Sequence, residues 1–470
     1  MDIKHKLLNL FENWANEKAI SINKLPISGS NREYFRIISE NKKAVAAVGY
    51  ELKENIAFIE FSKFLKEKGL KVPEIYAVAE DKISYLIEDF GDVTLYDFLE
   101  KNRKGVDIPN QIKDYYKKAI TQLILFQTES SELDYSLCYP RHTFDNQSIM
   151  WDLNYFKYYF LKLGDIIFDE QLLENDFQKF AEYLTTVDND YFMYRDFQSR
   201  NIMIVDNELA FIDYQGGRKG ALQYDLASLL YDAKADLPKE FRESLLDFYI
   251  ENISQKIEID KSKFKTEFYF FVLMRIMQAM GAYGFRGYFE KKEHFLKSIP
   301  FAIENLKYIL TKVDLSEYPM LKNALEDVTK SSKLIEISKS ADLTVAITSF
   351  SYKKGIPVDT SGNGGGFVFD CRAINNPGRY PEYRDKTGRD KEVIDFFAEN
   401  SEIDIFLEDV YKIVDRSVEN YLERGFKNLM VNFGCTGGRH RSVYCADSLA
   451  KYLKERYGVR INLRHVEQNF

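Results

Sequence analysis

One segment constrains the fold more than any other. It runs Tyr194-Arg195-Asp196-Phe197-Gln198-Ser199-Arg200-Asn201, then Ile202-Met203-Ile204, a turn at Asp206-Asn207, and Phe211-Ile212-Asp213-Tyr214. Short strand-like runs carrying polar residues interrupt a region otherwise patterned as long amphipathic helices. Asp196 stands five residues before Asn201, and a second carboxylate, Asp213, ends the next apolar run. Singly, such residues read as turn or cap positions, which Asp and Asn favour. In this order and spacing they suit phosphoryl transfer, in which one carboxylate orients an acceptor hydroxyl while an Asn and a second Asp hold a divalent cation against phosphates.

At 470 residues the chain is too long for one hydrophobic core, and two or three domains are expected. Half of the 24 glycines lie from Ala341 onward, which marks a domain boundary. Charge divides at the same place: residues 341–470 balance 19 Lys and Arg against 19 Asp and Glu, so the net charge of −8 resides in the preceding 340 residues. An acidic chain is not a general nucleic-acid coat, which needs clustered Lys and Arg, although a local basic pocket stays open. With 45% hydrophobic and 29% charged residues and 10 prolines, disordered and low-complexity classes are excluded. Cys138, Cys371, Cys435 and Cys445 form no C-x-x-C pair, which implies a reducing compartment. The opening MDIKHKLLNLFENWANEKAI reads as an amphipathic helix, not a signal peptide. The apolar stretch Phe268 to Phe285, interrupted by Arg275, Gln278, Gly281 and Gly284, reads as a buried helix. A cytoplasmic protein without membrane association is expected.

The first 100 residues predict strands at Tyr34 to Ile38, Ala44 to Val48, Ile75 to Val78 and Ser84 to Ile87, with a helix from Asn55 to Lys68. Long helices follow from about Asn110 to residue 320, giving an α+β, two-lobed domain with a cleft (lobes about 1–100 and 101–320). Leu321 to Lys339 reads as a helical connector (321–340) with a break at Ser331-Ser332. In residues 341–470, strands at Leu343 to Ser349, Gly366 to Cys371 and Leu429 to Phe433 alternate with helices, which predicts a smaller α/β domain with an open, mainly parallel sheet.

Residues 1–320 resemble the aminoglycoside phosphotransferase and choline kinase superfamily, and more narrowly the cell-wall amino-sugar 1-kinases of the AmgK type. The likeness rests on Gly29-Ser30-Asn31-Arg32-Glu33-Tyr34-Phe35-Arg36, on Leu86-Ile87-Glu88-Asp89-Phe90-Gly91, on the segment described above, and on Tyr224-Asp225-Leu226-Ala227-Ser228-Leu229-Leu230. It implies a two-lobed, protein-kinase-like phosphotransferase fold, ATP and Mg²⁺ as cofactors, and a sugar hydroxyl as acceptor. By the same resemblance Asp196 is the catalytic base, Asn201 and Asp213 bind Mg²⁺, and Asp225 bonds the catalytic-loop backbone. Ser30, Arg36, Glu88 and Phe90 fall at the nucleotide. On the acceptor side, Asp152 within Trp151-Asp152-Leu153-Asn154-Tyr155-Phe156 and Arg195 are candidates, with an aromatic core helix as the alternative for that segment.

Two positions depart from the pattern. Tyr194 stands where kinases often carry His, and Ala44-Val45-Ala46-Ala47-Val48-Gly49, the strand that normally supplies a phosphate-binding Lys, has none. Lys42, Lys43 and Arg36 are the nearby cations, with Arg36 an alternative phosphate clamp. Without that Lys, Glu60 reads as a solvated helix-face residue.

Near the C-terminus a strand runs into Gly434-Cys435-Thr436-Gly437-Gly438-Arg439-His440-Arg441-Ser442 and then a helix from Val443 to Tyr457. Glycines let backbone N–H groups converge, the helix start adds positive potential, and Arg side chains add forked donors, so the loop reads as a phosphate site. A structural loop with solvated Arg residues is the alternative. Together with Ser349-Phe350-Ser351-Tyr352-Lys353-Lys354-Gly355, Phe369-Asp370-Cys371-Arg372, Asn376-Pro377 and Thr387-Gly388-Arg389-Asp390, it resembles the C-terminal domain of the RNase adapter RapZ. That resemblance implies a phosphorylated amino sugar as ligand, bound by Cys435, Thr436, Gly437, Gly438, Arg439, His440, Arg441 and Ser442 with Arg372 and Arg389. Some members of that family also bind small regulatory RNA. This chain stops at Arg464-His465-Val466-Glu467-Gln468-Asn469-Phe470 without the basic tail used for RNA, so RNA is the weaker expectation. The spacing Cys435-x5-Arg441-Ser442 also fits a Cys-dependent phosphatase loop, with Asp370 or Asp390 as general acid.

The leading expectation is an ATP-dependent kinase of a cell-wall amino sugar (N-acetylmuramate or N-acetylglucosamine) fused to a domain that binds a phosphorylated amino sugar. Its alternatives are a nucleotide-binding regulator or RNA adapter without turnover, and a Cys-dependent phosphatase.

Overall fold

The computed structural model describes residues 3–25, 32–103, 107–290, 293–339, 343–359, 361–362, 364–423, 426–457 and 459–468. The chain divides into two compact units, Met1–Ala282 with Phe301–Lys330, and Tyr283–Pro300 with Ser331–Phe470.

The first unit opens with helix α1 (Ile3–Ala15) and strands β1 (Ser21–Lys24), β2 (Glu33–Ile38) and β3 (Lys43–Val48), then α2 (Leu52–Glu67), β4 (Ile75–Val78) and β5 (Ser84–Ile87). The strands form an antiparallel sheet in the order β1-β2-β3-β5-β4. Alternation decides its faces. Phe35, Ile37, Ala44, Ala46, Val48 and Leu86 point one way and bury against Leu7, Phe11 and Ala15 of α1. Tyr34 lies opposite Ala47, Arg36 opposite Val45, and Val45 and Ala47 opposite Ile87 and Tyr85, all on the other face. That second face receives α2, whose Phe58 ring lies 5.6 Å from Tyr85. The helix starts at Leu52, earlier than its apolar pattern implies, because the Glu51 side chain caps it by accepting from Lys53 N.

The rest of the unit is mainly helical: α3 (Leu95–Asn102), α4 (Asn110–Thr128), α5 (Asn146–Phe156), α6 (Glu170–Thr185), α7 (Leu222–Leu230), α8 (Lys239–Ile253) and α9 (Lys261–Ala282). Thr94 and Asp97 form a reciprocal capping box at the start of α3. The stretch Lys261–Phe289 has the length and apolarity to cross a membrane, but 72% of its most apolar window is buried inside the protein, as for a core helix. Two small antiparallel ribbons interrupt the helices: β6 (Tyr191–Met193) with β9 (Arg218–Gly220), and β7 (Ile202–Val205) with β8 (Glu208–Phe211). Asp206 and Asn207 turn the second ribbon with φ of 54° and 63°, the left-handed pair a two-residue hairpin requires.

Beyond α10 (Ile299–Ile309), α11 (Pro319–Lys330) and α12 (Ser332–Lys339) are separated at Ser331, within the expected break. The second unit contains β10 (Thr344–Ser351), β11 (Phe367–Asp370), α13 (Lys391–Asn400), α14 (Ile403–Glu423), β12 (Asn428–Cys435), α15 (Arg441–Tyr457) and β13 (Arg460–His465). Its sheet is wholly parallel, in the order β11-β12-β10-β13. Val345, Ile347, Val431 and Phe433 pack with Val414 of α14 and Leu449 of α15. β13 has no counterpart in the sequence reading. It is an edge strand with alternating exposed Arg460, Asn462 and Arg464, too polar to register as a core strand.

Candidate active site

The catalytic-loop segment is fixed from both sides. Asp225, fully buried near the start of α7, accepts from Tyr194 N at 2.6 Å and Arg195 N at 2.9 Å. Burial pushes its carboxyl up to about 7 against the pull of those two N–H groups. The Tyr194 hydroxyl donates to Ile212 O at 2.5 Å, so the residue at the usual His position ties the loop to the end of the hairpin. Arg195 adopts φ of 83°, a conformation that a non-glycine residue holds only when its surroundings impose it. The result presents Asp196 with 44% of its side chain exposed, while Phe197 packs inward.

Pairing of Ile202 with Phe211 brings Asn201 and Asp213 to the same end of the β7–β8 ribbon. Asn201 Nδ2 donates to Asp196 O at 2.9 Å and to Asp213 Oδ2 at 3.3 Å, which leaves its carbonyl oxygen as an acceptor. Gln215 Nε2 donates to Asp213 Oδ1 at 2.6 Å. Burial, and then the Asp196 charge, raise the Asp213 carboxyl above its ordinary value. Two hard oxygen donors beside an uncomfortable pair of carboxylates fit a divalent cation of the Mg²⁺ kind, which takes one or two protein ligands and completes its shell with phosphate and water. Among the described residues no group of three or more His, Cys, Asp or Glu side chains forms a fuller cage.

Asp152 and Arg195 come together with each other: Arg195 Nη2 donates to both Asp152 oxygens at 2.8 and 2.9 Å. The pair ties α5 to the loop, and the Arg195 guanidinium lies 4.9 Å from the Phe144 ring and 5.4 Å from Tyr224. The sequence reading missed Arg275 of α9, whose Nη2 lies 3.3 Å from Asp196 Oδ1 and whose Nε donates to Ser228 Oγ at 2.6 Å. Its signal was present as a charge interrupting an apolar helix.

At the nucleotide-side positions, Phe90 clusters with Met203 and Ala210, an apolar floor between the hinge run and the β7–β8 ribbon. Glu88 turns away: its N–H donates to Glu74 O at 3.0 Å and its carboxylate lies 3.5 Å from Lys66. Arg36 gives four hydrogen bonds, two to Asp89 and two to Asp92, so its guanidinium is committed to the hinge carboxylates. Ser30 lies outside the described residues. Glu60 pairs with Lys63 on the same helix face, as a solvated residue does.

In the second unit, the loop from Cys435 to Ser442 joins β12 to α15. Thr436, Gly437 and Arg439 are exposed, while Cys435, Gly438, His440, Arg441 and Ser442 are buried. Cys435 Sγ accepts from Gly438 N at 3.2 Å and lies 3.2 Å from Ser442 Oγ. Gly438 has φ of 68° and its missing β-carbon leaves room for Glu467, so glycine is required on two counts. Arg441 spends Nη1 on the carbonyls of Arg372 and Ile374, both at 2.9 Å, and bonds Thr436 Oγ1 at 3.4 Å through Nη2. His440, with its basicity lowered by burial, bonds Tyr383 O at 2.9 Å. Arg372 forks onto Asp370 and lies 4.1 Å from the Tyr352 ring. Arg389 is drawn aside: it donates twice to Asp447 at 2.8 Å and to His465 Nε2 at 2.9 Å. An Arg can only donate, so Nδ1–H of His465 faces Ser349 Oγ, 2.8 Å away. Neither acid considered for a thiolate mechanism stands apart: Asp370 pairs with Arg372, and Asp390 accepts from Thr387 N at 2.6 Å.

An antiparallel sheet with one helix on each face, a clamped loop and a hairpin bearing Asn and Asp together define a two-lobed phosphotransferase architecture. Residues 22–258, half of the chain, match the model of the phosphotransferase enzyme family, and the chain belongs to that family. Residues 343–469 match the RapZ C-terminal domain. A nucleotide-binding protein of Thermotoga neapolitana is 40% identical over 119 residues, which cover 25% of this chain and 41% of that one. The chain spans about half the length of the curated relatives it matches. Among solved structures, an ADP-bound aminoglycoside phosphotransferase is 15% identical with a TM-score of 0.42, covering 65% of this chain and 98% of its own. An ethanolamine kinase of Plasmodium vivax is 14% identical with a TM-score of 0.46, covering 65% and 85%.

Proposed function

We propose that this protein transfers the γ-phosphoryl group of ATP to a hydroxyl of a cell-wall amino sugar, N-acetylmuramate or N-acetylglucosamine, in a reducing, cytoplasmic setting. The observation that carries the reading is the loop itself: a half-exposed Asp196 held by a buried Asp225, with Asn201 and Asp213 3.3 Å apart beside it. Asp196 accepts the proton of the acceptor hydroxyl as that oxygen attacks phosphorus. Asn201 and Asp213 would hold Mg²⁺, which supplies charge neutralisation at the phosphates when bound. The Asp152–Arg195 pair keeps the loop registered against α5, and Phe90 with Met203 offers an apolar surface for the adenine ring. The choice of sugar rests on the resemblance of residues 1–320 to amino-sugar kinases and of the second unit to RapZ; the family matches themselves name a phosphotransferase enzyme and the RapZ C-terminal domain.

In the second unit, the exposed Thr436, Gly437 and Arg439 with Arg372 form the receiving surface for a phosphorylated amino sugar, while Arg441, His440 and Arg389 hold the walls. The test is MgATP turnover across a panel of amino sugars with the full chain and Asp196→Asn, together with titration of glucosamine 6-phosphate into the full chain and Arg439→Ala. Sugar-dependent ADP formation that is lost in Asp196→Asn supports the kinase. Sugar-phosphate binding that Arg439→Ala leaves intact would count against the second site.

A further inference from the structure

We infer that Arg32, held by Glu54, is the cation that grips the nucleotide phosphates in place of a lysine from the middle of β3; the inference rests on the phosphotransferase reading above. Val45 and Ala47 face the nucleotide side of the sheet; Lys43, at the start of the strand, shares their face but lies 3.8 Å from Asp89 at the hinge end, and neither Val45, Ala47 nor Gly49 brings a charge. The neighbouring strand supplies charges instead. Tyr34 and Arg36 pair with Ala47 and Val45, and Arg32, two residues before Tyr34, extends the same row. Of the two arginines, Arg36 already gives four hydrogen bonds to Asp89 and Asp92 at the hinge end.

Arg32 sits at the other end of the row. It is 5% exposed, and a β-carbon at Gly49 would approach its Cγ and Nε to 3.3 Å, so the lack of a side chain there makes its berth. Its Nη2 donates to Glu54 Oε2 at 3.0 Å. Glu54 lies in the first turn of α2, the helix that follows β3, and Phe58 and Ser62 continue the same face at four-residue spacing. Phe58 stacks on Tyr214 at 5.1 Å, and Ser62 Oγ meets the Tyr214 hydroxyl at 2.5 Å. Tyr214 follows Asp213, so the face that carries Glu54 packs on the segment bearing the cation ligand. The result is a charged pair between sheet and helix, the role a strand-borne Lys and a helix Glu share in protein kinases, with the cation moved one strand over and Arg's planar fork replacing a point charge.

The test is calorimetric titration of adenosine, ADP and ATP into the full chain, wild type and Arg32→Gln, Arg32→Lys, Glu54→Gln and Arg36→Gln. Arg32→Gln is expected to bind adenosine as the wild type does and to lose about 10- to 100-fold for ATP, with a smaller loss for ADP. Arg32→Lys recovers part of that loss, and Glu54→Gln shows a milder graded one. Equal weakening of adenosine and ATP, no loss for either, or a phosphate-graded loss confined to Arg36→Gln would each overturn the assignment. Sugar-dependent turnover by the wild type tests the parent reading separately. Graded binding without turnover removes the kinase and leaves Arg32 on the phosphates, whereas turnover with an unchanged KM for ATP in Arg32→Gln removes Arg32 and leaves the kinase. A wild-type chain that binds neither adenosine nor ATP removes both.

Discussion

Single residues here carry more of the architecture than their chemistry alone suggests. Asp225 is buried and spends both oxygens on backbone N–H groups, so Asp225→Ala orphans two donors at about 1–3 kcal/mol each. The expected outcome is a lower melting temperature of the first unit together with loss of turnover, read by calorimetry and a coupled ADP assay. Asp447 offers a pH test in the second unit. Burial alone would raise its carboxyl, but the hydrogen bonds and charge of Arg389, with His465 beside it, override this and bring it down to about 2. A carboxyl lowered on folding contributes stability above its unfolded pKa near 4, and loses it as pH falls towards the folded value. Urea denaturation stepped from pH 5 to 2 should therefore show a larger loss of stability between about pH 4 and 2 in the wild type than in Asp447→Asn. A variant with the same acid profile as the wild type would show that the Arg389–Asp447–His465 cluster is not a source of stability.

At the scale of elements, the most legible parts were those whose sequence carried both period and punctuation. β4 and β5 match their expected bounds, and the β7–β8 ribbon is announced by Asp206-Asn207. The Asp206-Asn207 turn pairs Ile202 with Phe211 and so brings Asn201 and Asp213 together, while Asp196 is held beside them by Asn201 and the Asp225 clamp. What sequence order could not supply was which charges meet across elements. Arg36, a clamp by proximity to β3, is consumed by Asp89 and Asp92 from a distant loop. Arg32 lay inside a quoted motif but acquires meaning only from Glu54 on α2. Arg389, one of the expected phosphate ligands, is drawn to Asp447 and His465, the latter on an edge strand whose polarity hid it. Packing at Gly388 is the sharpest test of how the cradle is built: a β-carbon there would lie 2.2 Å from His440 O and 2.7 Å from Tyr444 N, both backbone atoms of the α15 start. Gly388→Ala is expected to cost about 1–3 kcal/mol and to weaken sugar-phosphate binding through displacement of that loop. Unchanged binding and melting would contradict the arrangement.

Taken as a whole molecule, the chain joins two units, each with a site proposed above to take a phosphate, with all the net negative charge in the first 340 residues and a balanced second part. An acidic chain must gather its cations locally to bind ATP, and three of the described cations near the loop are paired to carboxylates: Arg32 with Glu54, Arg195 with Asp152, Arg275 with Asp196. A divalent cation then matters for affinity as well as chemistry. ATP at about 100 times its Kd should stabilise the first unit by about 2.7 kcal/mol in the presence of Mg²⁺. With EDTA, or in Asp213→Asn, the thermal shift should shrink markedly, and a shift indifferent to both would remove Asp213 from the cation site.

The most direct test of the central claim is ADP formation under saturating MgATP with N-acetylmuramate or N-acetylglucosamine as acceptor, comparing the wild type with Asp196→Asn. The account predicts turnover of at least one of the two sugars, falling by about 10²- to 10⁴-fold in the variant while ATP still stabilises the fold. No turnover of either sugar by a wild-type chain that binds ATP, or an Asp196→Asn variant as active as the wild type, would contradict it.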